Sequence, residues 1–147
     1  MVCQLWHAIF CIYLNFLIVK QLLLLLLTMF GLSSCMNAQD NSKFVNTDVA
    51  GFAKLITNPD EQILDVRTPA EFAEGHIAGA VNIDIYDDNF MADALKTLDP
   101  SRPVAVYCRS GKRSADAASR LAAKGYRVTN LEGGILAWIE QKLPTVK

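Results

Sequence analysis

The stretch Tyr107-Cys108-Arg109-Ser110-Gly111-Lys112-Arg113-Ser114 decides the fold of this chain, because it joins a short apolar strand to a helix. The residues before it, 103–107, are mostly apolar and are typical of a short buried parallel strand. The residues after it, from about 112 to 124, follow a helical pattern. One cysteine therefore lies where a strand ends, on a short loop that leads directly into a helix N-terminus.

This position favours the ionised form of Cys108. The first turn of a helix presents free backbone N–H groups and a positive dipole end of roughly half a charge, and both stabilise an anion. A cysteine so placed beside Arg or Lys can have its pKa lowered from about 8.5 to between ~3.5 and ~7.5. The loop supplies Arg109, Lys112 and Arg113, and Gly111 lets its backbone curl closely around a bound atom. We therefore predict a reactive thiolate; the alternative is a buried structural cysteine.

The first 32 residues differ in composition from the rest of the chain. They contain one charged residue, Lys20, whereas all fifteen acidic residues follow them. An apolar run that includes six consecutive leucines comes after Lys20 and ends in Leu32-Ser33-Ser34-Cys35. A basic residue, an apolar run and then small residues is the order of a signal peptide. The last four residues resemble the lipobox of bacterial lipoproteins, in which cleavage leaves the cysteine as a lipidated first residue.

These features predict three parts of the chain. They are a lipoprotein-type signal peptide over residues 1–34, a polar tether over 35–43 and a folded domain over 44–147. Lipidated Cys35 would anchor an exported protein to a bacterial membrane, where it would face the periplasm or the cell exterior.

Two alternatives for the first segment remain, an uncleaved transmembrane anchor and another kind of signal. Residues 5–32 are long enough to span a bilayer, since about 20 apolar residues suffice. Lys20 opposes the anchor, because a central lysine costs roughly 2.5–3.5 kcal/mol on insertion scales. Residues 1–19 are too long and too apolar for the basic start of a signal peptide. A further hypothesis therefore places the true translation start near Val19.

The cysteine count supports a chemical role for Cys108. Cys3 and Cys11 would be removed with the signal peptide, and Cys35 would carry lipid. Cys108 is then the only thiol of the predicted mature chain, and it has no partner for an internal disulfide in an oxidising compartment. The mature part also holds a single histidine, His76, so we expect no metal site, and we expect no cofactor.

Strands and helices alternate after the tether. Strands are predicted near residues 44–45 and at 62–66, 80–85, 104–107 and 127–131, with helices between them. Helix N-caps are predicted at Thr47 and at Asp87 or Asp88. This pattern predicts an α/β fold with a central, mainly parallel five-stranded sheet and helices on both faces. Such sheets bind ligands at the carboxyl ends of their strands, where Cys108 and Asp65-Val66-Arg67 lie.

Four stretches of this domain resemble a rhodanese-family domain of the single-domain sulfurtransferase type. They are Leu64-Asp65-Val66-Arg67-Thr68-Pro69-Ala70-Glu71-Phe72, Gly75-His76-Ile77-Ala78-Gly79-Ala80-Val81-Asn82-Ile83, Val106-Tyr107-Cys108-Arg109-Ser110-Gly111-Lys112-Arg113-Ser114 and Leu131-Glu132-Gly133-Gly134-Ile135-Leu136-Ala137-Trp138. Together they extend over nearly the whole predicted mature chain. Their order and spacing also match, so four in series are highly specific. The resemblance implies a rhodanese-like α/β fold.

The resemblance also implies a reaction with ping-pong kinetics. Cys108 thiolate would attack the outer sulfur of a small anionic donor such as thiosulfate, release sulfite and become a persulfide. An acceptor, cyanide or a cellular thiol, would then take the sulfur. The membrane would be a partner through Cys35, no nucleic-acid partner is expected, and the protein is expected to be a monomer.

Donor and leaving group are dianions, so cations beside the nucleophile are predicted to draw them in and neutralise them. The predicted substrate-binding residues follow the nucleophile directly: Arg109, Ser110, Gly111, Lys112, Arg113 and Ser114. Their N–H groups can cradle the thiolate and then the persulfide. Arg109 is the best candidate to point over the pocket, whereas Lys112 and Arg113 have the alternative of solvated helix residues.

Two other motifs have mainly structural interpretations. Asp65 and Arg67 lie at a strand end near the expected site, where they either support the site or form an ion pair that holds loops together. His76 lies in a glycine-punctuated loop. We expect it to hold that turn by hydrogen bonds, because a preformed thiolate needs no base.

Three other functions would use a cysteine of this kind. A phosphatase or arsenate reductase needs an arginine that closes a Cys-x5-Arg loop, but here that position is Ser114 and Arg113 comes one residue earlier. A non-enzymatic persulfide carrier or sulfur-binding module serving a membrane partner would use Cys108 itself, so the sequence discriminates poorly between carrier and enzyme. A thiol–disulfide oxidoreductase would lack a second cysteine to resolve a mixed disulfide.

Overall fold

The computed structural model of the protein describes residues 44–147, in which strands and helices alternate. The strands are β1 (Val45–Thr47), β2 (Gln62–Asp65), β3 (Val81–Asn82), β4 (Val104–Tyr107) and β5 (Val128–Leu131). The helices are α1 (Val49–Leu55), α2 (Pro69–Glu74), α3 (Phe90–Thr97), α4 (Lys112–Ala122) and α5 (Gly134–Glu140). The predicted signal peptide, the tether and Cys35 lie outside the described residues. Over residues 44–147, every helix is too short or too polar to span a bilayer.

The five strands form one parallel sheet in the order β1-β5-β4-β2-β3. Strand β4 lies at its centre between β5 and β2, and all four of its residues are buried. The register places Asp65, the last residue of β2, beside Tyr107, the last residue of β4. The predicted α/β sheet is therefore confirmed, and the ends of two neighbouring strands lie level at one edge.

The core has two layers, one on each face of the sheet. Side chains alternate along β4, as the period of two in a strand requires. Val104 and Val106 pack with residues of α3 and α4, whereas Ala105 and Tyr107 pack with residues of α1 and α5. Full burial of an aliphatic side chain contributes roughly 1.5–3 kcal/mol, so a central strand packed on both faces is a rigid base for the loop that follows it.

The third strand is shorter than predicted. The sequence suggested strand over residues 80–85, but β3 contains two residues. The chain turns directly afterwards, because the side chain of Asp84 accepts the N–H of Tyr86 at 2.9 Å and its carbonyl accepts the N–H of Asp87 at 3.1 Å. This local competition ends a run that was otherwise apolar enough to continue as strand.

The predicted helix N-caps were also wrong by one or two residues. Thr47 belongs to β1, and Asp48 caps α1 with its carboxylate. Asn89 precedes α3, because the side chain of Asp87 is used to accept the N–H of Asn89 at 2.8 Å. Strong capping residues that lie side by side leave the helix start to be decided by the surrounding turn.

Helix α2 begins at Pro69, and its N-terminus is a complete capping box. The Thr68 hydroxyl accepts the Glu71 N–H at 3.3 Å, and the Thr68 N–H donates to the Glu71 carboxylate at 3.2 Å. The box fixes the direction in which α2 leaves the end of β2. It also fixes the carboxylate of Glu71, which reaches the neighbouring loop.

Candidate active site

Cys108 is the first residue after β4, and its Sγ atom lies inside the loop that leads to α4. The backbone N–H of Gly111 donates to Sγ at 3.2 Å, and the hydroxyl of Ser114 lies 3.4 Å from it. The same hydroxyl is 3.1 Å from the Gly111 carbonyl. A hydroxyl has one proton, so Ser114 can donate to the sulfur or to the carbonyl, and an ionised sulfur is the stronger acceptor.

Two opposing effects set the pKa of Cys108. Burial raises it, because the thiolate loses solvation, whereas hydrogen bonds from Ser114 and from the N–H groups of Ser110 and Gly111 lower it. The hydrogen bonds prevail, so the pKa of Cys108 lies below that of an ordinary thiol. The polar loop therefore stabilises the nucleophilic form of the sulfur.

The sulfur is nevertheless hidden. Cys108 is only 1% exposed, and it also contacts the apolar cluster under α3 and α4. The residue therefore leaves almost no surface to solvent in this conformation. The buried position and the hydrogen-bonded loop thus coexist, which the sequence did not predict.

Helix α5 holds the backbone of the loop from outside. The N–H of Ile135 donates to the Cys108 carbonyl at 2.8 Å, and the N–H of Leu136 donates to the Arg109 carbonyl at 3.2 Å. The first N–H groups of a helix have no partner within the helix, and here they bind the loop instead. Gly134 has φ +60°, and a Cβ there would collide with the Cys108 carbonyl and lie 2.6 Å from the Arg109 carbonyl carbon. The close approach of the loop backbone therefore requires a glycine at this position.

Arg113 does not point freely into solvent. Its Nη1 and Nη2 atoms donate to the two carboxylate oxygens of Glu71 at 2.8 and 2.7 Å, and its guanidinium lies 5.5 Å from the Tyr86 ring centroid. The hydrogen bonds from Arg113, with smaller contributions from Thr68, lower the pKa of Glu71 to about 2. Sequence reasoning missed Glu71. The Thr68–Glu71 capping box could have been recognised from the sequence, but nothing in the sequence indicated that Glu71 would bind an arginine 42 residues away.

The other two cations of the loop are exposed and lie in different clefts. Arg109 borders a cleft of about 550 Å³ between α2 and α5. That cleft is lined by Arg67, Glu71, Glu74, Gly75, Arg109, Ile135, Leu136, Ile139 and Thr145. Ser110, Gly111 and Lys112 border a smaller cleft of about 230 Å³ on another side of the loop. Of the predicted substrate-binding residues, the structure therefore brings Ser110, Gly111 and Ser114 to Sγ. Arg109 and Lys112 face different clefts, and Arg113 is paired with Glu71.

Asp65 and Arg67 form a buried ion pair. Arg67 Nη2 lies 2.6 Å from Asp65 Oδ2, and Arg67 Nε lies 3.0 and 2.9 Å from the two carboxylate oxygens. Nη2 also donates to the Gly75 carbonyl at 2.8 Å. Hydrogen bonds to Asp65 outweigh burial and raise the pKa of Arg67. The pair ties the end of β2 to the loop after α2, although Arg67 also borders the larger cleft.

Tyr107 and His76 have structural contacts. The Tyr107 hydroxyl accepts the Ile77 N–H at 3.0 Å, and burial, with the nearby Asp65, raises the pKa of Tyr107. His76 Nδ1 lies 3.1 Å from the Phe72 carbonyl, and the two rings stack at 3.7 Å between centroids. The predicted turn-holding role of His76 thus matches its contacts.

Comparison with known proteins identifies the family. A family model described as a rhodanese-like domain matches residues 48–141. A sulfurtransferase of Allochromatium vinosum is 39% identical over 94 residues, which cover 63% of this chain and 85% of that protein. Thiosulfate sulfurtransferase 18 of Arabidopsis thaliana is 37% identical over 112 residues, with 68% of this chain and 82% of that protein covered.

A solved structure gives the same answer. The rhodanese-related protein of Thermoplasma volcanium is 34% identical and superposes with a TM-score of 0.62, covering 70% of this chain and 98% of its own. The family model, the two sequence relatives and this structure together show that the chain belongs to the rhodanese-like domain family.

Proposed function

We propose that the protein is a sulfurtransferase that carries a sulfane sulfur on Cys108. The observation that supports this most directly is the pair of donors at Sγ, the Gly111 N–H and the Ser114 hydroxyl. They stabilise a thiolate without a general base, and family membership and the sulfurtransferase relatives point to the same reaction.

The first half-reaction loads the cysteine. Cys108 thiolate attacks the outer sulfur of thiosulfate, a new S–S bond forms, and the original S–S bond breaks with its electron pair leaving on sulfite. Arg109 and Lys112, exposed on either side of the loop, neutralise the dianion as it approaches. The loop N–H groups that hold the thiolate then hold the persulfide.

The second half-reaction unloads it. A thiolate or cyanide attacks the outer sulfur of the persulfide, and Cys108 leaves as the thiolate that the loop already stabilises. Because one group serves as nucleophile and as leaving group, stabilisation of its anion favours the second step as well. The site needs no additional acid or base.

Mass spectrometry of residues 44–147 after thiosulfate treatment tests this function. The peptide that holds Cys108 should gain the mass of one sulfur atom, and cyanide should remove it with formation of thiocyanate. Cys108→Ser should show neither event. Ser119→Ala, which changes an exposed residue of α4, should gain and lose the sulfur as the protein without substitutions does. An unmodified Cys108 peptide in a folded protein at saturating thiosulfate would contradict the proposal.

A persulfide carrier is the second candidate, and the 1% exposure of Cys108 favours it, because a hidden sulfur reacts slowly with unselected acceptors. Steady-state turnover with thiosulfate and cyanide separates the two. Repeated turnover supports the enzyme. A single stoichiometric loading, with no transfer to cyanide or to small thiols, supports the carrier.

We also propose that the protein is exported and anchored to a bacterial membrane through lipidated Cys35, as a monomer with no nucleic-acid partner. The support is the sequence order of Lys20, the leucine run and Leu32-Ser33-Ser34-Cys35. Expression of the full chain in a bacterium, followed by mass spectrometry of its mature N-terminus, tests the anchor. A diacylglyceryl group on Cys35 that is lost in Cys35→Ser supports it, and an intact segment ahead of Cys35 contradicts it.

A further inference from the structure

Arg113, a cation at the start of the helix that follows Cys108, is already paired with an acid, Glu71. Arg113 lies in the first turn of α4, and both of its terminal nitrogens donate to Glu71 at 2.8 and 2.7 Å. Such a bidentate pair is the strong form of an arginine–carboxylate contact. Arg113 therefore has little capacity left to bind a second anion.

Glu71 is held in this position by its own helix. Its carboxylate accepts the N–H of Thr68 at 3.2 Å and lies 3.1 Å from the Thr68 hydroxyl, as part of the α2 capping box. The acid is thus fixed from α2 and extends to α4. In contrast, Arg109 and Lys112 have no ion-pair partner within 4 Å among residues 44–147.

The pair lies close enough to the sulfur to matter. Arg113 directly precedes Ser114, whose hydroxyl lies 3.4 Å from Sγ. The hydrogen bonds to Glu71 are the main cause of the raised pKa of Arg113, and the negative charge of a Cys108 thiolate raises it further. Arg113 is also only 18% exposed at its side chain, and Glu71 is 26% exposed, so water screens them incompletely. An anion that arrives at Sγ experiences the sum of both charges.

We propose that Glu71 is a specificity-determining residue that neutralises Arg113 and so shifts the preference of the site from doubly to singly charged sulfur donors. This inference rests on the proposed sulfur transfer at Cys108. A donor with two charges gains twice as much from an unpaired cation as a donor with one charge. Loss of Glu71 therefore favours the dianion selectively.

Two donors with the same reacting sulfur test this. Thiosulfate carries two charges, and methanethiosulfonate carries one; each gives its outer sulfur to Cys108 thiolate and releases sulfite or methanesulfinate with the electron pair of the broken S–S bond. The readout is the ratio of kcat/KM for the two donors within one preparation, with cyanide as acceptor. This ratio does not depend on the fraction of protein that is folded.

Glu71→Gln removes the charge but keeps a side-chain acceptor for the capping box, where Gln also serves. We expect kcat/KM to rise about 10-fold for thiosulfate and about 3-fold for methanethiosulfonate at low salt, so the ratio rises about 3-fold. High ionic strength should reduce the gain. Arg113→Met exposes the negative charge and should lower the ratio, and the double variant should lie between the two single variants.

Asp116→Asn is the matched control, since Asp116 forms an exposed pair with Arg120 on the same helix at 2.7 Å. Its donor ratio should change by less than about 1.5-fold, because exposed pairs are screened. The inference is overturned if Glu71→Gln leaves the ratio unchanged or if Arg113→Met shifts it in the same direction. Either result can occur with persulfide still forming on Cys108, whereas failure of the proposed function is absence of that persulfide with both donors.

Discussion

Two neighbouring strands, β2 and β4, end level with each other, yet only β4 leads into the candidate active site. After β2, Arg67 donates through Nε and Nη2 to Asp65 and to the Gly75 carbonyl, so these two nitrogens are used inside the protein. After β4, Cys108 is followed by Arg109, whose side chain is exposed beside a cleft. One strand end is closed by internal pairing, and the other keeps its charge available.

This difference shows that charge at a strand end does not by itself make a site. The amide of Asn82 completes the closure by donating to the carbonyls of Asp65 and Arg67 at 3.0 and 2.8 Å. Around Cys108 the N–H donors converge on the sulfur that we propose as the reacting atom. The following experiments remove either the internal hydrogen bonds after β2 or the donors around Cys108, in order of decreasing effect.

Removal of the buried acid should have the largest effect. Asp65→Ala leaves the Arg67 charge buried without a partner, and such losses cost about 3–5 kcal/mol of the free energy of unfolding. Urea denaturation followed by circular dichroism measures it. Asp116→Ala, which breaks the exposed Asp116–Arg120 pair, should cost less than about 1 kcal/mol. Equal losses of unfolding free energy for the two variants would show that the buried pair after β2 does not stabilise the fold more than an exposed pair does.

Gly134→Ala should come next, and it acts on the β4 end. A Cβ at φ +60° costs roughly 1–2 kcal/mol, and here it also collides with the Cys108 carbonyl. We expect kcat/KM to fall about 100-fold, because a displacement near 1 Å at the nucleophile has such an effect. Gly79→Ala is the control: its φ is +81°, but its Cβ would meet only Ile63 at 3.8 Å. Gly79→Ala should lower the stability while each folded molecule stays active. A loss of kcat/KM as large as that of Gly134→Ala would contradict the argument that the Gly134 position matters through its contact with the Cys108 loop.

The sequence was informative where local chemistry decides the structure. The alternation of elements and the loop from Cys108 to Ser114 followed from apolar periodicity and from residue types near each other in the chain. The first residue of α2 can be identified from the sequence, because Thr68-Pro69 is a typical helix start. The two-residue length of β3 could not, because a turn at Asp84 competes with an apolar run.

The sequence was least informative about contacts between side chains that are far apart in the chain. Arg113 was predicted to bind the substrate, and the sequence offered no sign that Glu71, 42 residues earlier, takes up its guanidinium. The sequence left the burial of Cys108 open as an alternative, because the loop alone is polar and the apolar cluster that the residue joins includes side chains of α3, earlier in the chain. Long-range pairing depends on the packed fold, which periodicity does not specify.

Ser114→Ala should have an intermediate effect on the cradle of the β4 end. Loss of the hydroxyl 3.4 Å from Sγ removes one hydrogen bond that stabilises the thiolate, so the pKa of Cys108 should rise. The rate of iodoacetamide alkylation against pH measures it, and its midpoint should move to higher pH. Ser119→Ala, exposed on the same helix, should leave the midpoint in place. An unchanged midpoint in Ser114→Ala would mean that backbone N–H groups alone hold the thiolate.

The smallest effect belongs to the Glu71–Arg113 pair, which connects the β2 end to the β4 end. The pKa of Glu71 falls from its ordinary 4.5 to about 2 in the folded protein, so the pair stabilises the fold fully above pH 4.5. That contribution is lost as the pH falls from 4.5 towards 2, because protons then bind the unfolded chain first. The pair is partly exposed and screened, so we expect about 1 kcal/mol or less. Urea unfolding of the protein and of Glu71→Gln at pH 6 and pH 2.5 measures the difference, which should shrink at the lower pH. A difference that stays constant would mean that Glu71 acts through its capping hydrogen bonds, which Gln retains in part, and that its charge contributes nothing to the stability of the fold.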